Sequence, residues 1–352
     1  MNEVENQAVA AIGADDPSSD WKLAPEAHAA KLPPEAGALR RVLEQPQMQT
    51  IIEQFEVADR AAVRAQSRYK KVARLRLYAG VAATIVGATF ILPLETWVSS
   101  AWRNIPAVVQ YGCLCASLMA ALYLSRFRPF DAWMKARARA EIARISLFNL
   151  VMDSADEALQ PGEAPLLPLK LEYFRRYQLD VQRRYYAGRG AQHVRAAGLT
   201  RHWQRISFGL TGLAGAIALI AALKIVIDAG VPLPDWVKGV NATVQLYLPS
   251  WTNKAVLAIG IVASALFGAS VARSLMDLDE RNASRYLTTA ANLDHVRATG
   301  LEHARQQAAA GAADGVREFV DRVQRMVSAE HQEWILLSEA APATFKRFEY
   351  VR

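Results

Sequence analysis

Four uncharged apolar runs limit what this chain can become: Leu77 to Leu94, Ile105 to Ser125, Ile206 to Leu223 and Ala255 to Ala272. Each is roughly 18 to 21 residues long, close to the ~20 that a helix needs to cross ~30 Å of hydrocarbon. Hydrocarbon offers the backbone no hydrogen-bond partner, so each run is expected to be a helix. The sequence predicts an all-α integral membrane protein with four transmembrane helices, at 77–94, 105–125, 206–227 and 255–272. They pair as two hairpins beneath a cytoplasmic helical bundle.

The runs take up less than a quarter of the 352 residues, and 21% of the chain is charged. Most of it must therefore lie in water. The net charge of +7 would suggest nucleic acid in a soluble protein. Here the cations crowd the span ends, as the positive-inside rule expects, and no nucleic-acid partner is predicted. Arg60, Arg64, Arg68, Lys70, Lys71, Arg74 and Arg76 precede the first run with no acid after Asp59. Arg183, Arg184, Arg189, Arg195, Arg201 and Arg205 precede the third with no acid after Asp180. Loops 95–104 and 228–254 are nearly neutral and carry Trp97, Trp102, Trp236, Tyr247 and Trp251, suited to an interface belt. Both termini and residues 126–205 are expected in the cytoplasm of a bacterial inner membrane. The first 30 residues hold six acids and no apolar core for a cleavable signal peptide.

Residues 1–45, acidic at first and rich in proline, read as a disordered tail. A first two-span unit follows at 46–158, then a proline-rich linker at 159–170 around Pro161-Gly162, Pro165 and Pro168. A second two-span unit covers 171–340, and 341–352 form a C-terminal tail. The repeated order of basic helix, span, short loop, span and cytoplasmic helix suggests duplication. Glu141-x-x-Arg144 and Asn282-x-x-Arg285 fall at comparable places.

The second unit reads LEYFRRYQLDVQRRYYA over Leu171–Ala187, enters the third span, resumes as ERNASRYLTTAANL and ends with FVDRVQRMVSAEHQEWILL. These segments resemble the SLATT superfamily, two-span domains associated with bacterial nucleotide-signalling conflict systems. The resemblance rests on residues 171–340; the first unit shares the hairpin shape and Arg137-Ala-Arg-Ala-Glu141-x-x-Arg144. It implies a non-enzymatic membrane effector of an antiviral defence system, proposed to form pores or perturb the membrane when triggered. A cytoplasmic sensor or nucleotide-signalling partner would supply the trigger. A membrane-anchored scaffold or sensor that relays a signal without conducting is the alternative.

No nucleophile elbow, Walker loop or dinucleotide fingerprint is present, and His295, His303 and His331 lack metal-ligand spacing, so no catalytic, cofactor or metal site is expected. Cys113 and Cys115, two apart on a helix, point apart and read as packing residues. Tyr185, Arg184, Arg285, Glu330 and Trp334 are the candidate structural or gating residues. Glu330 and Trp334 share a helix face. The carboxylate would pair with Arg285 or Arg184, either as plain bundle packing or as a latch that breaks on triggering. The spans lack buried charges, which argues against a proton-coupled transporter. Small residues recur at four-residue spacing instead: Gly80 and Thr84, Thr211 and Gly215, and Gly260, Ser264 and Gly268. Such stripes let helices approach closely, within one chain or between copies in a homo-oligomer.

Overall fold

The computed structural model describes residues 3–13, 23–90, 104–155, 159–228, 234–235, 239, 250–277 and 279–329. Among the described residues every regular element is helical. The helices are α1 (Glu3–Gly13), α2 (Pro25–Lys31), α3 (Gly37–Leu43), α4 (Pro46–Thr89), α5 (Ile105–Phe127), α6 (Pro129–Asp153), α7 (Leu166–Phe174), α8 (Asp180–Asp228), α9 (Ser250–Asp277) and α10 (Asp279–Ala309). A further helix, α11, covers 313–329. A π-helical turn, Arg175–Leu179, joins α7 to α8.

Two compact units cut across the order of the sequence. One comprises Met1–Arg68, Pro129–His193 and Arg281–Arg352; the other comprises Tyr69–Arg128 and Val194–Glu280. The chain thus divides between a helical unit and a unit of apolar hairpins, rather than into consecutive segments 46–158 and 171–340.

The helical unit is built around α7. Helices α1, α3 and α6 all pack on it. Its core holds Leu39, Leu43, Met48, Leu147, Phe148, Leu169, Phe174, Leu293 and Val323. Residues 1–45 are not a disordered tail where they are described: Ala8, Ile12, Leu39, Val42 and Leu43 are buried. The prolines punctuate helices rather than prevent them. Pro25 and Pro46 open α2 and α4, and Pro34 opens a short 3-10 turn, where a missing N–H costs nothing. Arg40 donates to the Leu32 carbonyl. Arg41 grips Glu163 through two bonds of 2.7 and 2.9 Å. The expected linker also contracts, because Pro165 caps α7 and residues 166–170 already belong to that helix.

Among the described residues the hairpin unit has two helical segments long and apolar enough to cross a membrane, Ile105–Phe127 and Leu257–Ser274. The first apolar run follows α4 to Thr89, and 91–94 lie outside the described residues. The third lies within α8. Helix α5 ends at Arg128, which takes the left-handed conformation (φ 42°), and Pro129 opens α6 directly. A left-handed cap followed by a proline at the first helical position is a sharp stop and restart.

Candidate functional site

The helical unit carries charge where a core normally excludes it. Residues 168–182 are all buried. They include Lys170, Glu172, Arg175, Arg176, Gln178, Asp180 and Gln182. Buried charge is tolerated when it is paired and hydrogen-bonded, and here the pairing is dense. Arg175 bridges Glu172 and Asp180, with its Nε donating to Glu172 Oε1 at 2.7 Å. Burial opposes the charge on Arg175, but these two carboxylates hold its pKa above the ordinary arginine value. From α10, Arg297 reaches Asp180 at 3.1 Å and Arg305 reaches Glu172 at 3.4 Å. Arg183 on α8 donates to Asp294 on α10 at 2.6 Å.

The π turn sits in the middle of this network. Such turns are rare and often found at functional sites. Gln178, fully buried on the turn, has no hydrogen-bond partner for either side-chain atom among the described residues. Leaving a buried amide unpaired costs about 1–3 kcal/mol. On its other side, Tyr173 meets His28 Nδ1 at 3.0 Å, and the His28 ring stacks on Tyr177 at 3.8 Å. A cleft of about 460 Å³ opens beside the network, with Asn6, Val9, Leu171, Glu172, Arg305 and Gln306 in its walls.

A second cluster links α4 and α6. Arg137, Glu141 and Arg144 lie at i, i+4 and i+7 on α6, hence on one face. Opposite them are Phe55 and Asp59 of α4. Arg137 approaches Asp59 at 3.6 Å. Arg144, with no exposed side-chain surface, lies 3.8 Å from Glu141 and 5.1 Å from the Phe55 ring centre. Burial lowers the Arg144 pKa, with Glu141 opposing. Burial also works on Arg137, but Tyr185, Glu141, Tyr186 and Asp59 together hold its pKa up.

The expected gating residues fall unevenly around these clusters. Tyr185 is half-buried, packs on Tyr186 and Tyr286 with ring centres 5.4 and 6.4 Å away, and lies under Arg189. Arg184 is exposed, and Arg285 is half-buried. Glu330 and Trp334 lie outside the described residues. Glu172, Arg175 and Asp180 carry the first network, and the sequence shows them only as part of the run LEYFRRYQLD, which mixes charged and aromatic residues with no polar face. Arg144 of the second cluster stands in the sequence only as the end of Glu141-x-x-Arg144.

The small-residue stripes are only partly packed. A Cβ on Gly80 would lie 3.5 Å from Ser117, and Ser117 donates to the Arg76 carbonyl at 3.0 Å, so Gly80 lines a close α4–α5 contact. Thr84 is exposed and bonds back to the Gly80 carbonyl. A Cβ on Gly260 would meet Ala214 at 3.0 Å, while Ser264, Gly268 and Gly215 are exposed, with open space beside both glycines. Four residues turn a helix by about 400°, so a strict four-residue stripe drifts ~40° per step. The α8–α9 contact runs instead through Gly260 against Ala214 and Phe267 against Phe208, and Ala263 and Ser207 are buried.

Among the described residues no group of three His, Cys, Asp or Glu side chains could hold a metal ion. No curated protein and no solved structure matches the chain. A family model does match, over the first hairpin rather than over residues 171–340. The matched segment holds Asp59, α5, Arg137, Glu141 and Arg144. Over residues 53–147 the chain is similar to the SLATT superfamily, matching the SMODS and SLOG-associating 2TM effector domain 3.

Proposed function

We propose that this protein is a multi-pass effector of the bacterial inner membrane, one that assembles with further copies of itself and permeabilises or perturbs the bilayer when a cytoplasmic partner triggers it. The family match suggests a membrane effector of a conflict system. The observation that carries the membrane part is the bareness of α5. Only 6% of its most apolar stretch is buried within the chain, and 11% in Leu257–Ser274. A core helix of that composition would be covered, whereas Val108, Tyr111, Leu118 and Met119 are at least 60% exposed. Such a surface calls for lipid or for other copies of the chain.

In this reading all four apolar runs span, with both termini in the cytoplasm and no enzymatic step. Four apolar helices enclose no polar channel, so conduction needs several subunits. The ion-pair networks set the resting arrangement, and the π turn at their centre is the place where a trigger changes it. Cells making the protein with its trigger, or in excess, are expected to stop growing and lose membrane potential. A voltage-sensitive dye follows this in single cells. Abundant folded protein with a normal potential under both conditions would favour the scaffold or sensor reading.

A further inference from the structure

We infer that the basic ends of the two apolar hairpins form a binding surface for anionic phospholipid headgroups. In the hairpin unit Lys71, Arg74, Arg76, Arg126, Arg195 and Arg205 are exposed, and none has an acidic partner among the described residues. The pattern differs from the helical unit, where the buried Arg144 and Arg175 lie beside carboxylates.

The hairpin register gathers these cations. On α4, Gly80 faces Ser117 and Gly87 faces Gln110 of α5. Residue numbers fall on one helix as they rise on the other, so Lys71 and Arg74 stand level with the last turn of α5, beside Arg126. In the second hairpin Ala214 meets Gly260 and Phe208 lies against Phe267, which brings the Arg205 end of α8 level with the closing turns of α9. There Glu280 is taken by Arg201 at 3.2 Å, which leaves Arg195 and Arg205 unmatched.

The height of the band fits headgroups. Lys71 to Arg76 rises about 7.5 Å along the helix. The polar layer on each side of a bilayer is roughly 5–8 Å thick. Aromatic side chains lie among the cations: Phe127 is 65% exposed next to Arg126, and Trp203 is 60% exposed between Arg201 and Arg205. An unpaired arginine fork beside an amphipathic ring suits a phosphodiester at the water–hydrocarbon boundary. Positive charge at the inner ends would by itself orient the chain. The further claim is that this charge selects its lipid neighbours, which an orienting signal need not do.

The test uses the full-length protein in bilayers that mix phosphatidylcholine with phosphatidylglycerol, each spin-labelled in turn. The fraction of motionally restricted label gives the preference. The expected result is enrichment of phosphatidylglycerol by roughly fivefold or more, falling as salt rises. The variant Lys71→Gln/Arg74→Gln/Arg126→Gln/Arg205→Gln should lose it. Arg322→Gln, which removes a cation 3.4 Å from Glu318, should keep it. Millimolar inorganic phosphate should not compete, since a free anion lacks the acyl chains that place the headgroup. Equal restriction of both lipids by the native protein would overturn the proposal. So would a preference that survives in the four-site variant, or one abolished by phosphate. Because the readout is lipid selectivity, it stands or fails independently of whether the protein conducts.

Discussion

Arg144 is the most constrained charge in the matched segment. Its side chain is fully buried, Glu141 is its nearest acid at 3.8 Å, and the Phe55 ring covers it. Replacing Arg144 by Met keeps most of the volume but leaves Glu141, 4% exposed, as a buried carboxylate with Arg137 as the nearby compensating cation. Removing one member of a buried pair typically costs ~3–5 kcal/mol. Arg137 is half-buried and already engaged with Asp59 at 3.6 Å, so the lower part of that range, about 3 kcal/mol, is expected. Glu141→Gln should cost less, because Arg144 keeps its contact with Phe55. The double variant Glu141→Gln/Arg144→Met removes the orphaned carboxylate and should recover at least ~1 kcal/mol relative to the sum of the singles. The assay is chemical denaturation of purified full-length protein in detergent, followed by circular dichroism. Strict additivity, or a loss below ~1 kcal/mol for Arg144→Met, would refute the argument that these residues form one coupled pair.

Helix packing gives a paired expectation: Gly260→Leu should overpack the Ala214 contact and cost ~1–3 kcal/mol in thermal melts, while Gly268→Leu, facing open space, should leave the melting point of the single chain unchanged. Equal effects would mean that the α8–α9 contact is misplaced. Acid supplies another. Arg41 and the Gln160 N–H hold the Glu163 pKa down, from 4.5 to about 2. A lowered carboxylate pKa stabilises the fold fully above the unfolded value and is lost as pH falls through the folded one. The melting-point advantage of native protein over Glu163→Gln should therefore be constant above about pH 5 and shrink between pH 4.5 and 2. An advantage independent of pH over that window would show that the Arg41–Glu163 pair is not what ties α3 to the turn before α7.

The apolar helices were legible because hydrocarbon imposes one rule on every residue, and α5 shows it plainly from Ile105 to Phe127. The packing of residues 1–45 was not, since Pro17, Pro25, Pro33, Pro34 and Pro46 give the composition of a disordered segment. Only the tertiary contacts of Leu39, Leu43 and Arg41 reveal that three of those prolines open helical turns. The centre of the helical unit defeated periodicity altogether. A helix buried on every side has no polar face, and Glu172 and Asp180 find partners on α10, more than 100 residues away. The glycine and serine stripes were legible in part: Gly80 and Gly260 sit in contacts within the chain, while Ser264, Gly268 and Gly215 are exposed, because spacing by four follows a line that drifts around the helix.

The most direct test of the effector reading is release of a trapped dye from liposomes containing the purified protein, measured with its cognate trigger when a partner protein supplies one and at high protein density otherwise. Charge-poor spans offer no ring of side-chain charge to choose a sign, so the account predicts release of small cations and anions alike, rising steeply with protein density. Gly260→Leu should weaken release by disturbing the hairpin, and Leu257→Phe, at an exposed position, should not. Folded protein that inserts into the liposomes at high density and leaves the dye trapped, with and without the trigger, would contradict the account.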